Sequence, residues 1–163
     1  MSPTEYLPGL TTAARLLVDA NLLVLWVVGS VNRNRIETFK RTSNYTKTDY
    51  DFLRRVLASF ETHYTVPHVL AEVSNLTDLP GAERQQARSF LKEAISLLTE
   101  AEIPSARAAE DVLYPELGLV DAAISVVAHA RNCTVLTDDR DLYLRLSHDE
   151  VDVINFTHLR RKS

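Results

Sequence analysis

An α/β fold built on a central parallel sheet is predicted from three observations. Short apolar runs such as Leu16-Leu17-Val18 and Cys133-Thr134-Val135-Leu136 have the length and composition of buried strands. Segments with apolar residues at helical spacing lie between them, so strand and helix patterns alternate along the chain, as a parallel sheet covered on both faces requires. Aspartates stand where two of these strands end: Asp19 closes the first, and Asp138 and Asp139 follow Leu136-Thr137. The carboxyl ends of the strands are where such sheets carry their sites.

The elements follow in order. Residues 1–12 read as a loose lead-in, and residues 15–19 as the first strand. Residues 21–28 read as a buried helix, although their valines leave a strand open, with Gly29-Ser30 as its stop. Residues 31–48 carry Arg33, Arg35, Lys40, Arg41 and Lys47 against Glu37 alone, which is the one clearly basic stretch. It is either a solvated face or a contact surface for phosphate. Asp49 is expected to start a helix with Phe52, Leu53, Val56, Leu57 and Phe60 as its apolar stripe. A second strand, 63–66, precedes a helix opened by Pro67, since proline favours the first helical position. Leu79-Pro80-Gly81 separates it from a helix over about 81–100, with Phe90, Ala94, Leu97 and Leu98 facing inward. Residues 101–103 read as a short strand, Ser105 as the cap of a brief helix, and 119–130 as a helix behind Gly118. Residues 133–136, 139–146 and 151–154 read as strand, helix and strand, followed by a basic tail from His158.

With 163 residues the chain suits one domain with a substantial core. Its 45% hydrophobic and 25% charged content is that of an ordinary globular protein. The net charge of -4 gives no global reason for a polyanionic partner, so nucleic-acid contact requires a local basic patch. The single cysteine, Cys133, cannot close an internal disulfide, and the start lacks the basic region of a signal peptide. The apolar stretch after Asn21 is too short to span a bilayer. A cytoplasmic protein without a membrane segment is expected.

Four carboxylates occupy positions where carboxylates are costly. A charge between apolar runs is expensive to bury unpaired, so Asp19 is either the cap of the next helix or part of a charged site. Glu72 shares a helical face with Val69 and Leu76, where no backbone donors are free to satisfy it. Asp121 sits in the first turn of its helix on a face continued by Ile124 and Ala128, and the helix dipole alone would account for it. Asp139 is placed to cap the helix after it. Asp19, Asp121 and Asp139 have ready structural explanations and Glu72 has the weakest, so a purely structural account needs four independent coincidences. Converging carboxylates repel one another unless a cation neutralises them. Hard oxygen donors suit Mg²⁺ or Mn²⁺, and no Cys/His spacing suggests zinc. The five histidines are scattered, Cys133 reads as a small core residue, and Trp26, Phe52 and Phe60 read as core.

Four motifs carry a resemblance. Leu17-Val18-Asp19-Ala20-Asn21, Val66-Pro67-His68-Val69-Leu70-Ala71-Glu72, Gly118-Leu119-Val120-Asp121-Ala122-Ala123-Ile124 and Leu136-Thr137-Asp138-Asp139-Arg140-Asp141-Leu142 resemble, in this order and spacing, the PIN-domain ribonucleases. The resemblance implies a three-layer α/β/α fold with four to five parallel strands. It covers a single domain over 1–163, with a core at 13–156 and 31–48 as a basic insertion. It implies that Asp19, Glu72, Asp121 and Asp139 form the metal and catalytic site, with Asn21, Thr137 and Asp141 in support. Asp138 falls where the family varies and stays outside the core set, with substitution for Asp139 as the alternative it offers. The activity implied is Mg²⁺- or Mn²⁺-dependent hydrolysis of RNA; because an acidic site repels RNA, flanking basic residues must supply attraction, and Arg33, Arg35, Lys40, Arg41 and Arg140 are the candidates. Small toxin-type members of the family commonly form homodimers and bind a small antitoxin, so both partners are implied. A structure-selective DNA nuclease and a catalytically silent PIN scaffold that binds a partner are the competing readings. A phospho-receiver module is disfavoured, because it needs two adjacent acids after the first strand and a late lysine, and no lysine lies between Lys92 and Lys162.

Overall fold

The computed structural model describes residues 15–162, so the expected lead-in and the first two residues of the expected core lie outside the described residues. The first strand, β1 (Arg15–Val18), buries Leu16, Leu17 and Val18. Asp19 turns the chain into α1 (Ala20–Val31), which is apolar on nearly every side and runs through the core. The helix reading of this segment is correct, but Gly29-Ser30 does not stop it. At Gly29 the ring of Tyr50 lies where a Cβ would be, and Ser30 Oγ meets Tyr50 Oη at 3.0 Å. The glycine is therefore a place of close approach inside the helix, not its end. A short 3₁₀ turn (Arg33–Arg35) follows.

Tyr50 belongs to α2 (Lys47–Ala58), which starts two residues before Asp49. Thr46 is its cap and Asp49 is the reciprocal partner in a capping box: Thr46 Oγ1 accepts from the Asp49 N–H at 3.1 Å, and Asp49 Oδ2 accepts from the Thr46 N–H at 2.8 Å. Next come β2 (Thr62–Thr65), α3 (Pro67–Leu76) with proline in its first turn, and α4 (Ala82–Leu97). The buried stripe of α4 is Ala87, Leu91 and Ala94, whereas Leu97 closes the helix and is 82% exposed, against the inward position expected for it. The third strand, β3 (Thr99–Glu100), lies two residues before the expected one, though Ala101 and Ile103 are buried. Ser105 is the first residue of α5 (Ser105–Ala108) and does not cap it; its hydroxyl is engaged by His68 Nε2 at 2.8 Å.

The remaining elements are α6 (Tyr114–Leu117), α7 (Leu119–Arg131), β4 (Thr134–Thr137), α8 (Arg140–His148), β5 (Val153–Asn155) and α9 (Phe156–Arg160). Gly118, at φ 89°, holds a conformation that a side chain would strain as the chain passes from α6 into α7. The expected basic tail begins inside a capped helix, α9, which ends at Arg160. Asn155 Oδ1 accepts from the N–H groups of Thr157 and His158, and Phe156 and Leu159 are buried.

The five strands of the described residues are all parallel, in the order β3-β2-β1-β4-β5. This is the expected α/β/α architecture. The chain leaves β1 for β2 on one side and later returns to β4 on the other. The strand order thus reverses between β1 and β4, and a crevice opens at their carboxyl ends. Among the described residues no helix is long and apolar enough to cross a membrane.

Candidate active site

The crevice is built from backbone requirements first. Asp19 is the N-cap of α1, with Oδ1 accepting from the Ala20 N–H at 2.7 Å. Its own N–H donates to the Leu136 carbonyl at 2.9 Å, which ties the end of β1 to β4. Asp139 is the N-cap of α8, with Oδ1 accepting from the N–H groups of Asp141 at 2.8 Å and Leu142 at 3.0 Å. Between them stands Thr137, fully buried at the end of β4. Its hydroxyl donates to Asp19 Oδ2 at 2.7 Å and accepts from the Asp139 N–H at 3.0 Å. One side chain, using its donor and one acceptor lone pair, sets the relative position of two aspartates from opposite ends of the sequence.

Glu72 reaches the same place from α3 and Asp121 from the first turn of α7. Asp19, Glu72, Asp121 and Asp139 line one cavity of about 240 Å³, together with Ala20, Asn21, Leu117, Leu119 and Val120. Asn21 is thus at the site as expected. Asp141 is not in the lining and supports the site through its N–H bond to Asp139. The lining holds four acids and no lysine or arginine.

Electrostatics follow from this arrangement. Burial pushes the Asp19 carboxyl up to about 6, against the Thr137 and Ala20 hydrogen bonds that favour its charged form. Asp121 is pushed up to about 7 by burial and then by the charges of Asp19, Asp139 and Glu72. Asp121 and Glu72 accept no hydrogen bond from the described residues, so their oxygens are open to the cavity. All the donors are hard carboxylate oxygens, and they repel one another, which fits a divalent cation. They are not preassembled: among the described residues no three Asp, Glu, His or Cys side chains stand together as a ready-made ligand set. A cation would have to draw them inward.

The cationic residues are distributed less simply. Arg33 pairs with Asp51, Arg35 with Glu83 at 2.8 Å, and Lys40 with Asp78 at 3.6 Å. Arg41 and Arg140 are exposed and make no ion pair among the described residues. Arg140 directly follows the cavity residue Asp139. Sequence reasoning missed Tyr45, whose hydroxyl donates to Asp138 Oδ2 beside the site. Nothing in a basic stretch marks one tyrosine as reaching a strand end 93 residues away. The histidines do not enter the cavity, and burial pushes the Cys133 thiol up to about 11, as for an inert core cysteine.

The family model described as the PIN domain matches residues 16–146. The crystal structure of PAE2754 from Pyrobaculum aerophilum is similar at 18% identity and a TM-score of 0.54, covering 93% of this chain and 97% of that one. A domain of a functionally unknown protein from Methanocaldococcus jannaschii is similar at 14% identity and a TM-score of 0.44, covering 86% and 89%. No curated protein matches the sequence.

Proposed function

The chain belongs to the PIN-domain family, and from that premise we propose that it is a metal-dependent endoribonuclease hydrolysing RNA phosphodiester bonds. PIN domains are typically nucleases and generally use divalent metal ions. The observation that carries the proposal is the cavity itself: four carboxylates from four separate elements, two with raised pKa values, and no cation of the chain among them. Repulsion of this kind is retained where an absent positive charge completes the site.

Asp19, Glu72, Asp121 and Asp139 would hold Mg²⁺ or Mn²⁺. Such an ion supplies an acidified water and stabilises charge on the phosphate and the leaving oxygen. Thr137 holds Asp19 and Asp139 in register, and Asn21 offers an amide at the cavity wall. Leu117, Leu119 and Val120 form an apolar wall that lowers the local dielectric and strengthens each charge interaction inside. Arg140 and Arg41 attract the RNA backbone toward an otherwise acidic mouth. Arg33, Arg35 and Lys40 contribute once their carboxylate partners exchange for phosphate. The toxin role, homodimer and small antitoxin belong to the same proposal. Self-association is tested at the apolar groove between α1, α2 and α4, by light scattering of wild type against Leu97→Glu.

The deciding experiment is cleavage of a mixed RNA pool with Mg²⁺ or Mn²⁺ by wild type, Asp19→Asn and Glu72→Gln. Metal-dependent cutting lost in both variants is expected. Equal cutting by all three would place the chemistry elsewhere. Mn²⁺ binding without cutting of RNA would favour a DNA substrate or the silent scaffold, a reading to which the unassembled ligand set gives some weight.

A further inference from the structure

The stretch 31–48 does more than carry charge. Ile36, Phe39, Thr42 and Tyr45 are buried, so its inner side is part of the core. Tyr45 sits at its end, its ring edge-on to Phe156 with centroids 6.5 Å apart. The Arg160 guanidinium lies 5.4 Å from the centre of the same ring, and it donates to Asp49 Oδ2 at 3.0 Å and to the Asn44 carbonyl at 3.4 Å. The Tyr45 hydroxyl, fixed between these groups, donates to Asp138 Oδ2. Asp138 is the immediate neighbour of Asp139, yet only Asp139 lines the acidic cavity.

Two adjacent carboxylates are thus within reach of one site. Asp138 is close enough that its charge raises the Asp19 pKa ahead of that of Asp139. We propose that Tyr45 is a positioning residue that selects between these aspartates: its hydroxyl holds Asp138 aside, and Asp139 completes the carboxylate set. The basic insertion then decides which acid serves the site. This inference rests on the metal-site reading above.

The test uses the full chain and Mn²⁺ alone, titrated with free Mn²⁺ followed by electron paramagnetic resonance. Asp139→Asn keeps a residue that caps α8 as well as aspartate does. It is expected to weaken binding about tenfold or more, the scale on which a disturbed ligand shell acts. Adding Tyr45→Phe leaves the ring packed on Phe156 but frees Asp138, and the double variant is expected to recover at least half of the lost affinity on a logarithmic scale. Adding Asp138→Asn to that pair should remove the recovery. A double variant that binds no better than Asp139→Asn overturns the proposal, as does a recovery that survives loss of Asp138. Equal binding by wild type and Asp139→Asn overturns the metal-site reading and this inference with it. Melting curves confirm that each variant is folded.

Discussion

The acidic cavity and the basic stretch 31–48 handle like charge in opposite ways. The cavity gathers Asp19, Glu72, Asp121 and Asp139 with no cationic side chain among them, and burial first, with repulsion added, raises the carboxyl groups of Asp19 and Asp121. The basic stretch spreads its cations and meets three of them with acids from other elements: Asp51 of α2, Asp78 after α3 and Glu83 of α4. Along the sequence the basic stretch stands out as one run of charge, whereas the four acids are scattered singly and show only by standing among apolar neighbours. In the fold, the acidic cluster is left unneutralised, while three cations of the basic stretch are answered by acids. Like charge is informative where the structure has left it unanswered.

The sharpest way to break this comparison is to remove a charge from the cavity. Asp19→Asn is expected to lower RNA cleavage by about 100-fold or more, at or beyond the upper end of what loss of a ligand's supporting partner causes. The same change should raise the melting temperature of the metal-free protein, because one of the repelling charges is gone. A variant that loses activity and stability together would mean that the Asp19 carboxylate acts mainly through the hydrogen bond it accepts from Thr137, since asparagine caps the helix as well as aspartate does. Thr137→Val comes next. It keeps the shape but leaves the Asp139 N–H and one Asp19 oxygen without their partner, and metal affinity should fall about 10- to 100-fold. Isothermal titration with Mn²⁺ measures it.

A smaller effect sharpens the electrostatic side. Asp19 and Asp121 hold their protons to about 6 and about 7 in the folded chain, against an ordinary value of 3.8. Between about pH 4 and 7 the folded state therefore binds more protons than the unfolded one, so the stability tied to these groups falls as pH rises through that window. Melting in a chelator from pH 5 to pH 8 should show this decline, and added Mg²⁺ or Mn²⁺ should raise the melting temperature more at pH 8 than at pH 5. A cation increment that does not change with pH would contradict the cavity reading. The smallest effects lie among the cations that flank the cavity. Arg41→Ala and Arg140→Ala should each reduce the salt slope of RNA binding by about 1, as loss of one phosphate contact does. Arg33→Ala, already paired with Asp51, should change it less.

Much of the fold is legible because buried parallel strands and amphipathic helices write themselves as apolar patterns. The β1 and β4 runs, the stripe of α2 and Pro67 at the start of α3 are all read from a few residues. The failures have specific causes. Gly29 reads as a stop because a glycine usually ends a helix, whereas here it admits the ring of Tyr50 from α2. Leu97 continues the right spacing, but α4 ends there and nothing among the described residues covers it. The end of the chain reads as a basic tail from His158 because its charges outnumber its apolar residues, yet Phe156 and Leu159 are buried and dock a short helix over 156–160.

The four acids of the site are legible for the same reason in reverse, since a carboxylate on an apolar face is costly wherever the chain goes. That cost is local, so the sequence by itself determined which carboxylates had to be explained, along with the order of strands and helices. Only the tertiary structure decided that they share one cavity, that one threonine hydroxyl joins Asp19 to Asp139, and that the Tyr45 hydroxyl meets Asp138 beside it. It also decided which cations are answered by acids, because an ion pair depends on distances between residues far apart in the chain, and those are set by how the helices pack on the sheet.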